Sequence, residues 1–179
     1  MKTIVTTLIF FSLLSATQVV QAQDQAPIEQ LSWLIGTWQF DDRAMPAAGY
    51  DYQETGTRTC IYVFDRRYIQ CTSVGHSGTH TRTYAHFWTW NEQSERIEML
   101  SMFGNLPIRP VATGYLEDEG HTVILESDQY EDEGHIYTSL YEIRYDGEGG
   151  MIWQSRRKSV DAEPETAVRF HEAAMKIAD

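Results

Sequence analysis

Arg82, Tyr84, His86, Trp88 and Trp90 stand at every second position of the run Arg82-Thr83-Tyr84-Ala85-His86-Phe87-Trp88-Thr89-Trp90. In an extended chain alternate side chains share a face, so these residues form one aromatic surface carrying a guanidinium, a phenol and an imidazole. Such a mixture suits a small-molecule pocket, where apolar area supplies affinity and a few polar groups set orientation. It also admits acid–base work, with His86 as general base and a strand-borne acid such as Glu98 as its partner. A similar face runs through His135, Tyr137, Ser139, Tyr141, Ile143 and Tyr145 and continues at Met151, Trp153, Ser155 and Arg157. From these two faces Arg82, Tyr84, His86, Trp88, Tyr141 and Trp153 are the candidate ligand-binding residues. The competing reading is core packing, with the phenol hydroxyls gathered near an opening.

Other reactive residue types point to less. Arg156-Arg157-Lys158 is a basic run in an acidic chain. On a strand one of its members would face inward and could anchor a carboxylate. Cross-strand pairing with Glu117-Asp118-Glu119 or Glu131-Asp132-Glu133 explains the same charges without a ligand. His76 and His80 flank Gly78 in a loop-like stretch, so their spacing has no metal-ligand geometry. No Gly-x-Ser-x-Gly turn, His-Glu-x-x-His pair or phosphate-cradling glycine loop occurs. The residues themselves therefore assign no catalytic group, no metal and no cofactor.

These faces need a frame and a compartment. Residues 1–22 combine Lys2, an apolar stretch from Ile4 to Leu14 and small residues near Ala22, the pattern of a cleavable signal peptide that leaves Gln23 as the new N-terminus. The stretch falls short of the roughly 20 residues of a spanning helix, so no membrane anchor is expected after cleavage. The reading is a periplasmic or secreted protein with one domain over residues 23–179. A formal charge of −12 argues against nucleic acid and anionic lipid as partners.

Within that domain, Pro27 and the apolar residues Ile28, Leu31, Leu34 and Ile35 predict a short helix running into a first strand at Gly36–Phe40. Strand-like runs follow near 52–64, 67–74, 80–90, 95–103, 108–117, 121–128, 135–145, 150–158 and 165–175, separated by turn-forming residues such as Asp146-Gly147-Glu148-Gly149. About ten antiparallel strands with short connections predict an all-β, up-and-down barrel, because closure removes exposed edges; a two-sheet sandwich fits the same spacing. The helix would cover one mouth, with Trp33 and Leu34 facing inward. A hairpin folded about Asp65 and Arg66 places Cys60 opposite Cys71, which predicts a cross-strand disulfide in an oxidising compartment.

The segment Trp33-Leu34-Ile35-Gly36-Thr37-Trp38 resembles the opening of the lipocalin-like, or calycin, barrels, especially exported bacterial lipocalin-like domains of unknown function. The Cys60–Cys71 hairpin and Asp146-Gly147-Glu148-Gly149-Gly150 before Trp153 resemble later parts of the same group. The resemblance implies a barrel with an internal cavity and no particular ligand. It extends distantly to nitrobindins, in which a histidine near the C-terminus ligates haem iron; His171 occupies a comparable place, although Arg169-Phe170-His171-Glu172-Ala173 departs from their pattern.

The resulting expectation is an exported barrel holding a small apolar or amphipathic molecule. The alternatives are a nitrobindin-like haem or nitric-oxide barrel using His171, a small hydrolase or isomerase using His86, and an accessory domain binding a protein partner through its rim.

Overall fold

The computed structural model describes residues 27–45, 52–132, 134–160 and 168–179; the signal peptide expected over residues 1–22 lies outside them. Alternating polar and apolar side chains and turn-forming connections produce eleven strands: β1 Gly36–Met45, β2 Gln53–Val63, β3 Tyr68–Ser77, β4 His80–Asn91, β5 Arg96–Phe103, β6 Val111–Glu117, β7 Thr122–Ser127, β8 Tyr130–Asp132, β9 His135–Tyr145, β10 Gly150–Ser159 and β11 Val168–Ala178. Every pairing is antiparallel. The sheet runs β10-β11-β1-β2-β3-β4-β5-β6-β7-β9, and pairing of β9 with β10 closes it. Successive stretches of β9 receive β7 (Thr122–Glu126 against Arg144–Leu140) and β8 (Tyr130–Asp132 against Tyr137–His135). The two short strands thus share one place in the wall, and the barrel is ten strands around.

Several elements differ from the sequence expectation: β3 continues to Ser77 rather than 74, β11 spans Val168–Ala178 rather than 165–175, and the short strand β8 has no counterpart among the expected strands. The short helix expected at the N-terminus is a 3-10 helix, Pro27–Leu34. Ile28, Leu31 and Leu34 recur every third residue, which aligns them on one side of a helix with three residues per turn. The first strand continues past Phe40 to Met45, because Asp41, Asp42 and Arg43 pair with β2 and β11 despite their polarity. The sixth strand begins at Val111 rather than at 108, after a connection whose Gly104 N–H donates to Thr83 O at 2.8 Å.

One end of the barrel is packed solid. Trp38, Ile69, Trp88, Ile97, Met99, Val123, Leu125, Ile143 and Met151 are buried there, and Leu31, Trp33 and Leu34 of the 3-10 helix close the end. Both tryptophans of the opening motif are tethered: Trp38 Nε1 donates to Leu34 O at 2.8 Å, and Trp33 Nε1 donates to Gly120 O at 2.9 Å. Trp33 also stacks on Tyr145 with ring centroids 5.2 Å apart. Gly36 makes the step from helix to strand at φ +122°, and a Cβ there would lie 2.5 Å from Ala178 O. Both the backbone angle and the space therefore require glycine.

Cys60 and Cys71 are directly paired across β2 and β3 and form a disulfide with Cα atoms 4.0 Å apart. Both are fully buried, so the bond faces the barrel interior. The hairpin turns over Phe64–Arg67, whose Arg67 N–H donates to Phe64 O at 3.1 Å.

Candidate ligand cavity

Alternation along each strand decides what enters the other half of the barrel. On β2 the inward parity that buries Cys60 also brings in Arg58 and Glu54; on β1 it brings in Phe40 and Asp42, and on β11 Glu172 and Phe170. Together with β4, β9 and β10 these strands enclose a cavity of about 590 Å³, within the range of small-molecule pockets. Its deep end is aromatic. The Trp153 ring packs against His86 (5.1 Å), Trp88 (5.8 Å) and Tyr141 (6.3 Å).

Above that aromatic base lies a belt of charge. Arg58 donates two parallel hydrogen bonds to Glu172, at 2.7 and 2.8 Å, and a third to Ser73 Oγ at 3.1 Å. Its guanidinium carbon lies 4.6 Å from the Trp153 ring centroid. Arg82 Nε donates to Glu54 Oε2 at 2.7 Å and contacts the Tyr52 hydroxyl. Glu54 also accepts from Tyr52 at 2.7 Å and from Tyr84 at 2.5 Å. Across the cavity Arg157 pairs with Asp132 at 2.5 Å and lies over the Tyr137 ring at 3.8 Å, while the Tyr130 and Ser139 hydroxyls bond at 2.9 Å. Buried charges are tolerated when paired and hydrogen-bonded in this way.

Among the described residues four carboxylates and three arginines line the cavity. Each arginine holds one carboxylate, which leaves Asp42 over. Asp42 sits directly between Glu54 and Glu172 in the strand register, and its buried Oδ1 has no hydrogen-bond partner among the described residues. Burial, reinforced by the Glu172 and Glu54 charges, raises its carboxyl from the ordinary value to about 7, against the opposing pull of Arg58 and Arg82. Burial likewise raises Glu54, with the Tyr84 hydrogen bond opposing it. Among the described residues no group of three or more His, Cys, Asp or Glu side chains is arranged to hold a metal ion.

Of the residues singled out in the sequence, Arg82, Tyr84, His86, Tyr141 and Trp153 line the cavity together. Trp88 is fully buried beneath it, in edge contact with Trp153, and supports the base rather than lining it. His86 is held neutral, its value pushed down to about 3 by burial and by Arg58, and its Nδ1 lies 3.0 Å from Ser101 Oγ. Glu98 is not its partner: inward parity on β5 belongs to Ile97, Met99 and Ser101, and Glu98 instead accepts from Asn91 Nδ2 at 2.6 Å. Tyr141 is raised to about 12, chiefly by burial. Arg157 faces inward and pairs with the acidic run through Asp132, so both features of its sequence reading meet in one residue. His171 has the opposite parity from Glu172 and lies on the outer face, its Nδ1 3.4 Å from Gln154 Nε2. His171 therefore does not face the cavity.

Sequence reasoning missed Asp42, Glu54, Arg58 and Glu172. Parity with Cys60 was the available signal for Glu54 and Arg58, since all three share a strand face. Asp42 lay beyond the end expected for β1, and nothing local marks Glu172 as inward.

No protein-family model matches the chain, and no curated protein matches it in sequence. Among solved structures, it is similar to the S-type phycobiliprotein lyase CPES from Guillardia theta, with a TM-score of 0.56 and 12% identity over 87% of this chain and 94% of that one. It is also similar to Rv2717c from M. tuberculosis, with a TM-score of 0.61 and 11% identity over 86% of this chain and 99% of that one. At such identities the likeness is one of fold, that of a closed antiparallel β-barrel.

Proposed function

We propose that this protein is an exported binding barrel that holds a small amphipathic molecule in its interior. The observation that carries this reading is the cavity of about 590 Å³, aromatic at its base and ringed by polar groups above. An apolar or aromatic body would pack on Trp153 and Tyr141, while Arg82, Tyr84 and the charge belt orient a polar end. The buried Cys60–Cys71 disulfide and the apolar leader of residues 1–22 support an oxidising, extracytoplasmic compartment.

Native mass spectrometry of the protein purified from its export compartment, followed by extraction, tests the reading. A defined extra mass is expected, and it should be lost in Ser155→Trp, which fills the cavity from the β10 wall; circular dichroism checks that the variant keeps its fold. An apo mass, together with no thermal shift from a panel of small aromatic compounds, would remove the binding reading.

A further inference from the structure

We infer that the cavity takes an organic cation, a primary or secondary amine on an aromatic or apolar body, with Asp42 as its counter-ion. This deepens the binding reading above and rests on it. The inference follows from the charge balance of the walls. Arg58 is committed to Glu172, Arg82 to Glu54 and Arg157 to Asp132, so among the described residues the fourth carboxylate, Asp42, is left without an ion pair. Its Oδ1 is buried with no hydrogen-bond partner among the described residues, between two like-charged neighbours on β2 and β11. Directly opposed like charges are unfavourable in a sheet, and a buried unpartnered acceptor adds a desolvation cost. An ammonium group held against the part of the Asp42 carboxyl that lines the cavity relieves the charge crowding, because it supplies the missing positive charge beside the three carboxylates.

The surroundings favour the same chemistry. In the strand register Phe40 precedes Asp42 by two positions on its own strand, and Tyr52 and Phe170 occupy the diagonal positions on the flanking chains. All three line the cavity, and the Tyr52 and Phe170 rings meet edge to face at 5.9 Å. Aromatic faces in this wall already receive cations: Arg58 lies 5.4 Å from the Phe40 centroid and Arg82 lies 4.6 Å from that of Tyr52. A formal charge of −12 on the chain also draws cations toward the protein. The amine's body would then extend toward Trp153 and Tyr141 at the base.

Three near-isosteric probes test the assignment by calorimetry at pH 8: 2-phenylethylamine, 2-phenylethanol and phenylacetate. The amine should bind at least about tenfold tighter than the other two, as a charge-assisted hydrogen bond in a low-dielectric site requires. Asp42→Asn should abolish that margin. Between pH 8 and pH 5.5 the margin should also shrink in the wild type as Asp42 takes up a proton, in the field of Glu54 and Arg58 from β2, Glu172 from β11 and Arg82 from β4. Equal or tighter binding of the alcohol or phenylacetate overturns the cation assignment while the cavity reading stands. If none of the three binds, the extracted ligand decides: a basic nitrogen in it supports the assignment, and its absence overturns it. No probe binding and no extracted ligand overturn both readings.

Discussion

Arg58 and Glu172, separated by 114 positions in sequence, form a two-pronged ion pair inside the barrel with hydrogen bonds of 2.7 and 2.8 Å. They meet because β1 pairs with the final strand β11 on one side and with β2 on the other. The pair ties the first hairpin to the final strand and forms one side of the cavity beside Trp153.

Breaking this pair from one side should be costly. Arg58→Met leaves Glu172 as a buried, unpaired anion and should lower unfolding stability by about 3–5 kcal/mol. Arg58→Met combined with Glu172→Leu should recover most of that loss. Urea denaturation of the two variants checks the prediction, and equal losses in both would show that the pair is not coupled.

The disulfide should be inaccessible in the native barrel, since both cysteines are fully buried. Dithiothreitol followed by iodoacetamide should label neither Cys60 nor Cys71 until urea is added. Replacing both by alanine should cost about 2–3 kcal/mol, the range for a short closed loop. Alkylation under native conditions would contradict the placement.

Gly75 keeps space for the Glu54 carboxyl: a Cβ at Gly75 would stand 2.0 Å from Glu54 Oε1 and 2.3 Å from its Cδ. Gly75→Ala should displace the carboxylate from Tyr84 and Arg82 and destabilise the fold by about 2–3 kcal/mol. In the background of Glu54→Ala the same substitution should add little, because the clash has gone. Additive losses in a double-mutant cycle would separate the two positions.

Asp42 should make stability fall as pH rises. Its folded-state value of about 7 lies above the ordinary 3.8, so its contribution is fully present below about pH 4 and is lost as pH rises through 7. Asp42→Asn has no such titration, so the ligand-free variant should gain on the wild type between pH 5 and pH 8 by on the order of 1–2 kcal/mol. Thermal melts of both proteins at the two pH values measure this, and parallel shifts would exclude Asp42 as the source.

Much of the frame was legible in sequence because its determinants are local. Cys60 and Cys71 sit equidistant from a turn, and Val63 pairs with Tyr68 in the same register, so hairpin spacing alone predicted the disulfide. The parity of Tyr84, His86 and Trp88, and of Tyr141 and Trp153, followed from the two-residue period of a strand. The polar run Asp41-Asp42-Arg43 instead masked the second half of β1, since apolar patterning ends at Phe40 while backbone pairing continues to Met45.

The sequence by itself determined the strand succession, the paired cysteines and the aromatic faces, because alternation, turn chemistry and short hairpins act between residues close along the chain. Tertiary structure alone decided which side of each strand faces inward and which charges become neighbours. Asp42, Glu54 and Glu172 lie in one row only because β1 is flanked by β2 on one side and by the distant β11 on the other. A shift of one residue at either seam would send a carboxylate to solvent, and the register that prevents it is held by packing around the whole closed barrel.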